Sequence, residues 1–201
     1  MKILVVGNSI ALNALKTKRK SDYNVSDERI SVAARPTTSI LRGSKYGPSV
    51  LGQIKENPDQ KVILMVEPTT LALKAMPYKL RSDSEKIVMT EFKKLSTMLV
   101  KEEQVVAIIR TDMDLPHSGQ KARDNINRKL DNIYNQVNKL PNIVVLSDII
   151  TKRYLGDDGL HLKAEGNKVL LRSMDYCALG QKSILWGILD FDCSCGHIQR
   201  L

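Results

Sequence analysis

Aromatic residues make up only 4% of this 201-residue chain. That leaves little stacking surface for reading single-stranded nucleic acid base by base. Cysteine is also scarce: Cys177, Cys193 and Cys195 all lie in the last quarter, an odd number without the spacing of a disulfide framework. This usage fits a reducing, intracellular and cytoplasmic setting. No apolar run approaches the roughly 20 residues needed to cross a bilayer, so no membrane span is expected. The opening Met1-Lys2-Ile3-Leu4-Val5-Val6 is too short for a signal peptide and runs into Gly-Asn-Ser instead of a small-residue cleavage site. It reads as a buried strand. Internal repeats and low-complexity tracts are missing too, which excludes solenoids and gives no composition shift at which to place a second full domain.

What remains is a globular composition, 42% hydrophobic and 26% charged, of a length that buries a core without staples. Apolar runs of strand length recur at Ile3 to Val6, Ile30 to Ala34, Val62 to Val66, Val105 to Ile109 and Ile143 to Leu146. Segments of helical character separate them, and such alternation predicts an α/β fold: three layers, a five-stranded parallel sheet flanked by helices. Ser82 and Glu85 have capping-box spacing ahead of a face of Val88, Phe92, Leu95 and Leu99. A second helix begins after Gly119 and stacks Ile126, Leu130, Ile133 and Val137. A third is expected from about Ala164 to Met174, and a shorter one after Ser9 running into Lys16 to Lys20. Thr38 to Gln53 reads as the least regular internal stretch. The α/β domain is expected to occupy residues 1–174. Residues 175–201 form an extension whose apolar run, Ser183 to Leu189, reads as an added strand or a docking segment.

Two fragments carry chemistry. Val6-Gly7-Asn8-Ser9 follows the first strand, and Asp158-Gly159-Leu160-His161 precedes the last helix. Alone, the first is an ordinary turn and cap, and the second a helix-entry loop with a half-exposed histidine. Together they offer the parts of a serine hydrolase. In an open parallel sheet the site forms beyond the carboxyl ends of the strands. A serine there can attack, a histidine can take its proton, and an aspartate can hold the imidazole in the correct tautomer.

With these residues the chain resembles the SGNH, or GDSL-like, hydrolases, of flavodoxin-like architecture. Gly7-Asn8-Ser9 stands for their Gly-Asp-Ser, with Asn at a non-nucleophilic position. Asp158-Gly159-Leu160-His161 stands for their Asp-x-x-His, and Leu162 to Asn167 continue in the same manner. The resemblance spans residues 1–174. It implies Ser9 as nucleophile, His161 as general base, Asp158 as its orienting partner, a small ester or acyl substrate, and no cofactor. It also implies an oxyanion hole made by the Ser9 amide with a Gly and an Asn from two middle motifs. Here the chain departs: Ala33-Ala34-Arg35-Pro36-Thr37 follows the second strand, and Glu67-Pro68-Thr69-Thr70 the third. Thr69 aligns with the missing Asn and is an oxyanion candidate through its hydroxyl; Gly43 and Gly47 are candidate amide donors. Each oxyanion donor lost lowers the rate by about a hundred- to a thousand-fold.

Charge supports an alternative. The net charge is +9, and Lys16, Lys18, Arg19, Lys20, Arg35, Arg42 and Lys45 cluster in the first quarter of the chain. Such a run is ordinarily a solvated face, yet it also suits RNA or another polyanion gripped by its phosphates. RNA-binding relatives of the SGNH fold, such as the Oskar germ-plasm domain, lack a working catalytic site. Cys193-Ser194-Cys195-Gly196-His197 lacks the spacing of common zinc sites, so no metal is expected. His117 reads as a loop histidine near the crevice.

Overall fold

The structure, a computed structural model, describes residues 3–18, 30–36, 38–66, 84–111, 114 and 119–179; the side chains of 15–18, 84, 122, 147–149 and 174–179 are not described. Five strands form one parallel sheet in the order β2-β1-β3-β4-β5. They are β1 (Ile3–Gly7), β2 (Ile30–Val32), β3 (Val62–Val66), β4 (Val105–Thr111) and β5 (Ile143–Ile150). The helices are α1 (Ser9–Lys18), α2 (Val50–Lys55), α3 (Ser84–Lys101), α4 (Gln120–Val137) and α5 (Ala164–Leu179).

The central strands β1 and β3 are apolar throughout because both faces of the sheet are covered there. Ile3, Val5, Val62, Leu64, Val66, Ala107 and Ile109 point to one face, where Ile10, Ala11 and Ala14 of α1 meet Leu170 and Leu171 of α5. Leu4, Val6, Ile63, Met65, Val106 and Ile108 point to the other, against Ile54 of α2, Phe92 and Leu95 of α3, and Leu130 and Tyr134 of α4. Phe92 and Tyr134 meet edge to face, with centroids 6.4 Å apart, the arrangement their ring quadrupoles favour. The three-layer architecture expected from the alternating runs is thus observed.

The boundaries differ instructively. α5 continues past Met174 to Leu179, and β5 runs to Ile150. β2 is shorter than its apolar run, although the Ala33 and Arg35 amides still donate to Val5 and Gly7 carbonyls of β1. Residues 38–49 of the stretch read as irregular are indeed so, but its end enters α2, which the Ser49 hydroxyl caps by accepting from the Gly52 amide at 3.1 Å. Ser82, His117, Trp186, Cys193, Cys195 and His197 lie outside the described residues, as does the side chain of Cys177.

Between β1 and β3 the strand order reverses direction, which places the crevice of an open sheet at their carboxyl ends. Gly7 closes β1 there with φ of +130°, and a Cβ on it would lie 2.6 Å from the Val66 carbonyl oxygen of β3. Both the backbone angle and the contact demand glycine. Gly7→Ala is therefore expected to destabilise the chain by about 2–4 kcal/mol. Urea unfolding followed by circular dichroism checks it, and a midpoint unchanged from the parent would contradict the strain described.

Candidate active site

The β1–α1 turn is anchored by polar groups that are themselves buried. Gln53, fully buried on α2, accepts the Gly7 N–H through Oε1 at 3.2 Å. The Gly7 carbonyl accepts from the Arg35 amide at 3.0 Å and from the Thr38 hydroxyl at 3.1 Å. Gln53 Nε2 in turn donates to the Pro48 carbonyl at 3.1 Å. Asn8 caps α1: its Oδ1 accepts from the Ile10 amide at 2.9 Å. With Asn8 only 4% exposed, a neutral amide makes this cap without the desolvation that a carboxylate would suffer. Ser9 then heads α1, its N–H ahead of the helix's own hydrogen-bond ladder.

From the other end of the chain comes a second preorganised turn. Leu155 and Leu162 form an antiparallel bridge, and inside it the Gly156 amide donates to the His161 carbonyl at 2.7 Å. Gly159 takes φ of +64°, which turns the chain so that Asp158 Oδ1 accepts both the Leu160 and His161 amides, at 3.0 and 2.8 Å. The Asp114 amide, after β4, donates to the Gly159 carbonyl at 2.8 Å and ties this loop to the sheet. Gly166 lets α5 start close by, since a Cβ there would sit 2.7 Å from the Tyr154 carbonyl oxygen.

The two turns meet. Ser9 Oγ lies 3.0 Å from His161 Nε2, and His161 Nδ1 lies 2.6 Å from Asp158 Oδ2. With a carboxylate facing Nδ1, that nitrogen carries the proton and Nε2 is left to accept from the serine hydroxyl. Partial burial pushes the Asp158 pKa up, but the His161 ring and the His161 and Leu160 amides outweigh it and hold the carboxyl below its ordinary value.

The remaining candidates divide. Thr69, Arg19 and Lys20 lie outside the described residues; Lys16 and Lys18 belong to α1, but their side chains are not described. Gly47 is not an amide donor to the crevice: its N–H donates to the Ser44 carbonyl at 3.1 Å in a tight turn. Gly43 is exposed in the same loop. After β2, the Arg35 N–H is committed to Gly7 and Pro36 has none. Arg35 is half-buried; its Nη1 donates to the Ala34 carbonyl, and its side chain covers Gly47 so closely that a Cβ there would meet Arg35 Cγ at 2.8 Å. Arg42 and Lys45 are exposed on this loop, Lys45 above the Tyr46 ring. Sequence reasoning missed Gln53 and Thr38, whose signal is only that of polar residues within an apolar neighbourhood. Among the described residues no cluster has the grouping to hold a metal, and no helix is long and apolar enough to cross a membrane.

No family's sequence profile matches the chain, and no curated protein matches it in sequence. Solved structures do. A lipase from a goat rumen metagenome is 12% identical, with a TM-score of 0.61 over 89% of this chain and 97% of that one. A GDSL-like lipase from Bacteroides thetaiotaomicron is 12% identical, with a TM-score of 0.59 over 89% and 88%. A catalytic mutant of an acetylxylan esterase from Geobacillus stearothermophilus is 9% identical, with a TM-score of 0.57 over 89% and 94%. The likeness is one of fold: the chain has the architecture of the GDSL-like hydrolases.

Asp158 gives a signed expectation. Its folded pKa lies below the unfolded value of about 3.9, so its stabilising contribution is full above that value and is lost as pH falls through the folded one. The stability difference between the parent and Asp158→Asn should shrink as pH falls below about 4. Urea unfolding below about pH 5 reads it directly, and a difference that grows as pH falls below about 4 would reverse the assignment.

Proposed function

We propose that the chain is a serine hydrolase of the SGNH type that cleaves an ester or other acyl bond through a covalent Ser9 intermediate. The observation that carries this reading is the continuous relay from Ser9 Oγ through both nitrogens of His161 to Asp158, at 3.0 and 2.6 Å. Likeness of fold to lipases and an acetylxylan esterase supports an acyl substrate.

In this reading His161 Nε2 accepts the hydroxyl proton as Ser9 Oγ attacks the carbonyl carbon, and Asp158 stabilises the imidazolium that forms. The tetrahedral intermediate collapses as His161 returns the proton to the leaving oxygen. Water, deprotonated by the same nitrogen, then releases the acyl group and restores Ser9. The Ser9 N–H, at the positive end of α1, is one oxyanion donor. Thr69 remains the second candidate.

A second reading is favoured by the loop after β2. Where an SGNH enzyme would offer a glycine amide, this chain has a committed Arg35 N–H and a proline, while Arg35, Arg42 and Lys45 put three cations on the loop that follows β2. A non-catalytic module holding RNA or another polyanion would use that loop through phosphate contacts.

One experiment separates them. A fluorophosphonate probe is expected to label the folded chain at one site, and Ser9→Ala to abolish both labelling and ester hydrolysis. Asp158→Asn should lower kcat on the order of 10⁴-fold. Folded protein that stays unlabelled, yet binds RNA with an affinity that drops on raising salt and on Arg42→Glu and Lys45→Glu, would replace the hydrolase with the module.

A further inference from the structure

A second cleft, outside the Ser9 site, opens at the carboxyl ends of β4 and β5. Its volume is about 370 Å³, and Arg110, Asp124, Asn127, Arg128, Asp131, Ile150, Thr151 and Lys152 line it. All but Ile150 are polar. The sequence builds this face deliberately: Asp124, Asn127, Arg128 and Asp131 recur at helical spacing along α4, beside the separate apolar stripe of Leu130, Ile133 and Val137.

The charges in the cleft are not equivalent. Arg110 follows the five apolar residues that open β4, and its side chain is only 17% exposed. It is fixed by an ion pair with Asp131 and by stacking on the Tyr134 ring, 5.5 Å from its centroid. Asp131 is thereby neutralised, which leaves, among the described lining residues, Arg128 of α4 and Lys152 just after β5 against Asp124. Arg128 uses one donor on Asn125, at 2.9 Å. Lys152, at the end of β5, has no carboxylate within ion-pairing distance among the described residues. Asp124 is held by Gln120 at 2.7 Å, which leaves acceptor capacity on the carboxylate.

We propose that this cleft binds a phosphorylated polyol, its phosphoryl group between Arg128 and Lys152 and a hydroxyl donating to Asp124. Two cations facing one small space suit an oxyanion. A carboxylate beside them with spare acceptor capacity suits a ligand that also brings hydroxyl donors, and rejects a second anionic group. The cleft lies at the carboxyl ends of β4 and β5, away from the β1/β3 point where the strand order reverses. The proposal is independent of hydrolysis at Ser9.

Calorimetry on the full chain at constant ionic strength tests it, with glucose 6-phosphate, inorganic phosphate and glucose as probes. Both phosphate compounds are expected to bind saturably, glucose 6-phosphate more tightly and glucose not at all. Lys152→Glu and Arg128→Glu should each weaken both by at least about tenfold. Asp124→Asn should remove the advantage of glucose 6-phosphate over phosphate, and Ser9→Ala should change nothing. Thermal melting shows that each variant is folded. Absence of saturable binding by either phosphate compound overturns the site, as does binding indifferent to both charge reversals or binding lost in Ser9→Ala. A preference for glucose 6-phosphate that survives Asp124→Asn overturns the role of the hydroxyl contact.

Discussion

The bond between the Gly7 amide and the buried Gln53 side chain fixes the point on which the proposed chemistry depends. At that point β1 stops being a strand, and its amide can no longer be satisfied by a neighbouring strand in regular register. A buried amide without an acceptor would cost about 1–3 kcal/mol. Gln53 removes that penalty from α2, while Arg35 and Thr38 hold the same residue's carbonyl. Gly7 is thus gripped on both polar atoms and pressed against Val66 on its third side. The direction in which α1 leaves, and with it the position of Ser9, follows from this clamp.

The His161 loop is built on different principles and needs no clamp from α2. It is a turn closed on itself by Gly156, Gly159 and the Asp158 carboxylate, so the carboxylate orders the backbone that carries its own histidine. What joins the two turns is packing. Ile10, Ala11 and Ala14 of α1 share one apolar cluster with Leu170 and Leu171 of α5. The small alanines let the helices lie close to the sheet and to each other. A 3.0 Å contact between side chains 152 residues apart in sequence therefore rests on rigid elements, as a preorganised site requires. Asp114 adds a tether from the β4 side, reaching the loop at the Gly159 carbonyl.

How much of this was legible follows from what sequence patterns encode. Strands of a sheet covered by helices appear as apolar runs, so all five were found, even the part-exposed edge strand β2, and Val88 to Leu99 and Ile126 to Val137 announced their helices by period. α2 was missed because its six residues are too few to show a period and Gly52 sits among them. Gly52 is there for another reason: a Cβ would lie 2.7 Å from Pro48 Cβ. Gly47 misled in the same way. A glycine in a sequence suggests an available amide, whereas here the missing Cβ makes room for the Arg35 side chain and the amide closes a turn. That Ser9, His161 and Asp158 would be brought together was readable because motif and order suffice for it. The support beneath them was not, since nothing local marks Gln53 or Thr38 as partners of Gly7.

The departures from the SGNH pattern then acquire a common physical sense. Asn8 keeps the α1 cap while avoiding a buried charge, so that change leaves the position of Ser9 at the head of α1 intact. Pro36 and Arg35 alter a different property, leaving no free backbone donor just after β2 and placing a guanidinium over the Gly47 turn. A net charge of +9 extends that bias over the whole molecule and favours encounter with anionic partners by long-range attraction. A hydrolase rebuilt in this way would rely on fewer amides for the oxyanion and more on cations that hold a charged substrate at the crevice. Binding energy from a remote anionic group can lower the barrier at the scissile carbonyl when it fixes that carbonyl against Ser9. The loss of an amide donor and the gain of cations on the loop after β2 would in such a hydrolase be one consistent change, and the basic composition does not by itself argue against the serine.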